Sequence, residues 1–96
     1  MDYLDRLAEN AVKDAIGRVA ASGQRPHAQN VPAAALTVLL EKGRGRVTKT
    51  DAERHIAEAI ERLRERKDIR APITPRGEWT VVDRQSKKAL AAQSSS

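Results

Sequence analysis

A chain of 96 residues with 40% hydrophobic content and a net charge of +5 makes one small domain, near the low end of the usual size range. The absence of cysteine excludes disulfide frameworks, thiolate metal sites and cysteine nucleophiles, and no run approaches the ~18 apolar residues of a membrane span. With no Phe, and with Tyr3 and Trp79 as the sole aromatics, the core has to be Leu, Ile, Val and Ala, which suits closely packed helices better than a β-sandwich.

The first element in chain order is a helix over 2–21. Leu4, Leu7, Ala8, Ala11, Val12, Ala15, Ile16 and Val19 recur every three or four residues and form one stripe. Asp2 and Asp5 in its first turn complement the helix dipole, and Ser22-Gly23 ends it. The opening Met1-Asp2-Tyr3-Leu4-Asp5 lacks the basic-then-apolar layout of a signal peptide, so a cytoplasmic location is expected. A polar loop containing Pro26 follows. Asn30 is placed as N-cap, and Pro32 in the first turn, of a second helix over 32–42. Its Ala33, Leu36, Val38, Leu39 and Leu40 are apolar nearly all round, which makes it the element expected to be most buried. Gly43 stops it.

Arg44 to Lys49 is a basic connector in which Val47 has strand character. Thr50-Asp51-Ala52-Glu53 matches a capping box and opens a third helix over 51–67, with Ala52, Ile56, Ala59, Ile60 and Leu63 facing inward. After Asp68 the period changes. Residues 69–73 read as an edge strand, Thr74-Pro75-Arg76-Gly77 as a turn, and 78–82 as the return strand. A short helix over 84–92 closes a single domain spanning 1–92, and a disordered tail, 93–96, ends the chain. The expected class is mainly α with a C-terminal β-hairpin.

Charge is uneven along this order. Residues 1–16 sum to −2, 17–49 to +5, 50–68 to −1 and 69–88 to +3, so two basic blocks flank a nearly neutral one. Such asymmetry favours a polyanionic partner, although the same charge also serves simply to keep a small protein in solution.

Leu63-Arg64-Glu65-Arg66-Lys67-Asp68-Ile69 runs from helix into strand, and Gly77-Glu78-Trp79-Thr80-Val81 returns after a turn carrying Arg76. With two helices before it, this order resembles the winged-helix variant of the helix-turn-helix superfamily over residues 33–82. The resemblance implies a three-helix winged-helix-like domain that binds double-stranded DNA, as a transcription regulator or accessory factor. Its third helix would enter the major groove and its wing would touch backbone or minor groove. The chain departs from that pattern twice. Gly43 to Lys49 separates the second and third helices by more than the family's tight turn. The 32–42 helix therefore stands either for the family's second helix or for its first, with one helix missing. The second departure is electrostatic: the side of helix 51–67 opposite its stripe carries Arg54, Glu58, Glu61 and Glu65, and three glutamates have the wrong sign for reading bases.

Phosphate contacts are accordingly assigned first to Arg44, Arg46 and Lys49, at a helix N-terminus where backbone N–H groups also attract anions. Arg70 and Arg76 on the hairpin are second contacts, Arg84, Lys87 and Lys88 an extension, and Arg54 and Arg62 contacts from the third helix. Glu58–Arg62 and Glu61–Arg64 have ion-pair spacing worth ~0.2–0.5 kcal/mol each, so Arg62 and Arg64 read first as surface pairs.

Nothing in the sequence points to catalysis, a cofactor or a metal. His27 lies in a loop without acidic or Ser neighbours, and His55 sits at the edge of an inward stripe, where a structural role is expected. His55 with Asp51 or Glu58 has ligand-like spacing, but mixed ligands on one helix make no metal centre. Gly43 and Gly45 are too few for a phosphate-cradling P-loop. Trp79 reads as the hydrophobic plug between hairpin and helices, with a binding anchor as the alternative. The first helix reads either as packing on its own domain or as the seat of a homodimer, its length favouring the dimer. Two functions follow: a small DNA-binding protein, or a non-catalytic protein-interaction module on the same scaffold, for which the acidic outer face of the third helix argues.

Overall fold

The computed structural model describes residues 3–82. Helices α1 (Tyr3–Ala21), α2 (Val31–Gly43) and α3 (Lys49–Glu65) precede two short strands, β1 (Ile69–Arg70) and β2 (Thr80–Val81). The strands pair antiparallel, with Ile69 opposite Val81 and Arg70 opposite Thr80. This is the mainly helical order with a closing hairpin that the periodicity predicts. The expectations for Asp2, for the helix over 84–92 with Arg84, Lys87 and Lys88, and for the tail over 93–96 fall outside the described residues. Among the described residues no helix is long and apolar enough to cross a membrane.

Small side chains set the packing. Ala8, Ala11 and Ala15 of α1 are fully buried, as are Ala35 of α2 and Ala52 and Ala59 of α3. Alanine at a helix contact lets the axes approach, and Val12, Val38, Leu39 and Leu63 fill the space between them. Each fully buried aliphatic side chain contributes about 1.5–3 kcal/mol of transfer free energy. The α1 stripe, the candidate seat of a homodimer, is thus packed within the chain on α2 and α3.

Helix ends explain most of the boundary shifts. Asn30 stands at the N-cap position of α2 but makes no side-chain cap. Its Oδ1 instead accepts from the His27 N–H at 2.9 Å, and its Nδ2 donates to the Arg25 carbonyl at 2.9 Å, knitting the loop. The His27 ring joins in, Nδ1 accepting from the Gln29 N–H at 3.0 Å. α3 begins two residues before the expected position because Thr48, not Thr50, caps it. Thr48 Oγ1 accepts from the Asp51 N–H at 3.2 Å. The connector between α2 and α3 therefore shrinks to residues 44–48. Val47 within it is buried and forms no strand; it packs on Gly43, where a Cβ would come within 3.2 Å of Val47 Cγ2.

α2 is also less enclosed than its composition predicts. Val31, Ala35, Val38 and Leu39 are buried, but Ala33 is exposed and Leu36 and Leu40 are half-buried. The hairpin is shorter than expected and is anchored by Trp79, which is 3% exposed. The Trp79 backbone N–H donates to the Pro26 carbonyl at 2.8 Å and its Nε1–H to the Pro72 carbonyl at 3.2 Å. Trp79 is the plug that joins hairpin, interhelical loop and helices.

Candidate nucleic-acid interface

The turn before α3 gathers cations by backbone geometry. Arg44 takes a left-handed conformation (φ 47°) and donates its N–H to the Leu40 carbonyl at 3.3 Å, closing α2. Gly45 follows at φ 80°, and the Arg46 N–H returns to the Gly43 carbonyl at 3.0 Å. Arg44, Arg46 and Lys49 are all exposed, and none forms an ion pair with another described residue. Lys49 is the first residue of α3 and Arg44 and Arg46 lie in the turn that leads into it, so their charge and the positive end of the helix dipole have the same sign.

The other end of α3 uses its arginines differently. Arg62 Nε donates to Glu9 Oε2 at 2.8 Å, and Arg66 forks onto both oxygens of the same carboxylate. Glu9 is 7% exposed, the one buried charged residue among those described. Burial pushes its pKa up, but the hydrogen bonds from Arg66 and Arg62 outweigh that, and the carboxyl titrates below its ordinary 4.5. Arg66 also donates from Nε to Asp68 at 2.9 Å, and its pKa is raised by these bonds to Glu9 and Asp68. Arg62 reaches Asp5 as well, at 3.9 Å, and does not take the Glu58 partner that helix spacing predicts. Arg64 does pair with Glu61, at 2.7 Å, and bonds the Ala71 carbonyl at 3.1 Å. Its guanidinium lies 5.9 Å from the centroid of the Trp79 ring.

The seven arginine and lysine candidates within the described residues therefore divide. Arg44, Arg46 and Lys49 stand within six residues of one another in the chain, and of the three Arg44 and Arg46 line one cleft. Arg54 lies one turn on, exposed, 3.6 Å from Asp51. Arg70 and Arg76 are exposed on the hairpin, beyond the far end of α3, a helix of 17 residues and so about 25 Å long. Arg62 belongs to the Glu9 cluster. Between the two ends, α3 exposes Asp51, Glu53, Glu58, Glu61 and Glu65.

Three features lie outside the sequence reading. The Glu9 cluster is legible in part, since Asp5 and Glu9 stand four residues apart, as do Arg62 and Arg66, giving matched pairs on two helices. Tyr3 carries no sequence signal beyond being an aromatic. It is 69% exposed and flanks an open cleft of about 740 Å³ between the start of α1 and the end of α2 with its basic turn. The third is an apolar groove of about 330 Å³ between α2 and α3, formed by Pro32, Ala33, Leu36, Ile56, Ala57 and Ile60 with Glu53 at its edge. His55 is half-buried, its Nδ1 3.4 Å from Asp5 Oδ1 without a well-aligned hydrogen bond. Among the described residues no group of three His, Cys, Asp or Glu is placed to hold a metal ion. Comparison with known proteins finds no matching family model, no similar curated protein and no similar solved structure.

Proposed function

We propose that this protein is a small non-catalytic DNA-binding domain of winged-helix type that grips the phosphate backbone with the 44–49 segment and does not read bases with the outer face of α3. The observation that carries this reading is the exposure of Arg44, Arg46 and Lys49, in the turn before α3 and at its first residue, with none of them in an ion pair with another described residue. The five-residue connector, 44–48, brings α2 and α3 nearer to the spacing of a helix-turn-helix than the sequence predicts. The carboxylates along α3 argue against base readout, because they would face the phosphates and electronegative base edges of the major groove. Fluorescence anisotropy of a labelled random-sequence duplex tests this directly. Binding should weaken steeply with salt, and Arg44→Gly with Arg46→Gln should flatten the log–log salt slope by about 0.9 for each phosphate no longer neutralised. Absence of binding at low salt would refute it.

One observation favours a second reading, a protein-interaction module. The apolar groove between α2 and α3 has Glu53 at its edge, and Glu58 and Glu61 lie further along α3. An amphipathic helix with a basic flank complements that surface in both hydrophobicity and charge. Titration with a Leu/Lys model helix, followed by amide shifts of Leu36, Ala57 and Ile60, separates the readings. Shifts confined to the groove would favour the module, and their absence would leave the groove without a docking role.

A further inference from the structure

The cleft beside the basic turn carries more chemistry than phosphate contact requires. Its one wall is the first two turns of α1, which contribute Tyr3, exposed, and Leu4 and Leu7, half-buried. Its other wall is the end of α2 and the turn, with Lys42, Arg44 and Arg46. The volume of about 740 Å³ falls within the ~300–1,000 Å³ typical of small-molecule sites. Tyr3 is 69% exposed and shares this cleft with Lys42, Arg44 and Arg46, so its ring is open to a ligand beside three cations. Lys42, like Arg44 and Arg46, forms no ion pair with another described residue. Glu41 also lines the cleft and opposes a phosphate there; Arg18 Nη1, 3.8 Å from its carboxylate, is shared with Asp14 at 3.1 Å and offsets that charge in part.

An exposed aromatic ring, apolar side chains and cations lining one cleft are the components that bind single-stranded nucleic acid, in which bases lie on aromatic faces while basic side chains follow the backbone. A duplex offers no free base face to Tyr3, and lying along α3 it would meet Asp51, Glu53, Glu58, Glu61 and Glu65. A single strand entering at the turn avoids that acidic surface. We propose that the Tyr3 cleft takes an unpaired nucleotide of a nucleic-acid strand, its base stacked on Tyr3 and its phosphates held by Arg44 and Arg46. This rests on the phosphate-gripping reading of the 44–49 segment and adds to it the strandedness of the partner.

The test is anisotropy with three labelled probes, an oligothymidylate, an oligouridylate and a DNA duplex, against wild type, Tyr3→Ala, Tyr3→Phe and the Arg44→Gly/Arg46→Gln double variant. At least one single strand should bind more tightly than the duplex. Tyr3→Ala should weaken that strand about tenfold while Tyr3→Phe retains it and duplex binding is unmoved. Which strand shows the Tyr3 dependence tells DNA from RNA. As the sole tyrosine, Tyr3 should also lose emission when the strand binds, a readout independent of mutation. If Tyr3→Ala leaves single-strand affinity unchanged while the double variant abolishes it, the stacking site is overturned and phosphate gripping survives. If wild type binds none of the three probes at low salt, both fall.

Discussion

The two ends of α3 carry the same residue types in opposite employment. At the C-terminal end Arg62 and Arg66 converge on the buried Glu9 carboxylate, and Arg64 is held between Glu61, Ala71 and the Trp79 ring. At the N-terminal end Arg44, Arg46 and Lys49 project from a turn that supplies no carboxylate partner among the described residues. The difference lies in what faces each arginine. α1 presents Asp5 and Glu9 to the C-terminal arginines of α3, and Tyr3 and Leu4 to the cleft they share with Arg44 and Arg46. A buried acid converts a surface cation into a structural pin, and its absence leaves the cation available to an external anion.

The largest expected effect breaks the pinned end. Glu9→Ala leaves Arg62 and Arg66 without their shared acceptor. Breaking a fully buried pair costs ~3–5 kcal/mol, but Arg66 is 42% exposed, so solvent screening reduces the expected loss to about 2 kcal/mol in denaturant unfolding. Arg44→Gly with Arg46→Gln should cost no stability at all. If both variants destabilise equally, the contrast between the ends is lost.

A smaller effect appears with pH. The Glu9 carboxyl titrates below its ordinary 4.5 in the folded protein, so its ion pairs stabilise the fold above that value. That contribution is lost as pH falls through the depressed folded pKa. Urea midpoints measured from neutral pH down to about pH 3 should therefore fall, and in Glu9→Gln the fall should be shallower. Equal slopes in the two proteins would remove Glu9 from the acid sensitivity.

The smallest effect concerns how the helices stop. α1 closes through Gly23 at φ 86°, with the Gln24 N–H on the Val19 carbonyl at 3.2 Å. α3 closes with the same pair of bonds but places Lys67 at φ 61° in the left-handed position. Glycine there avoids the Cβ clash, so Lys67→Gly should raise stability by roughly 0.5–1 kcal/mol, or a few degrees in Tm. A lowered Tm would show that the Lys67 side chain contributes contacts outweighing its backbone strain.

Legibility in the sequence follows locality. The α1 stripe and its Gly23 stop, the α3 stripe, and the Thr74–Gly77 turn depend on residues a few positions apart, and the periodicity of 3.6 and the turn chemistry reveal them. The α3 start is ambiguous in sequence because Thr48 and Thr50 both offer capping hydroxyls, and only the Asp51 N–H geometry decides between them. The exposure of α2 is hidden because composition does not say which neighbour covers which face. At the candidate site, Arg44, Arg46 and Lys49 are nearly contiguous, so the chain itself groups them. The Glu58 pair that helix spacing predicts for Arg62 is displaced by Glu9, which lies 53 residues away. The Tyr3 cleft is equally non-local, joining the first turn of α1 to the end of α2.

The central claim is that the two ends of α3 separate binding from folding, and one paired measurement tests it. Duplex affinity at low salt and the urea midpoint are recorded for Arg44→Gly/Arg46→Gln and for Arg66→Gln. The first variant should lose affinity about tenfold or more with its midpoint unchanged or raised, while the second should keep its affinity and lose midpoint. An Arg66→Gln protein that folds normally but binds as poorly as the double variant would contradict it.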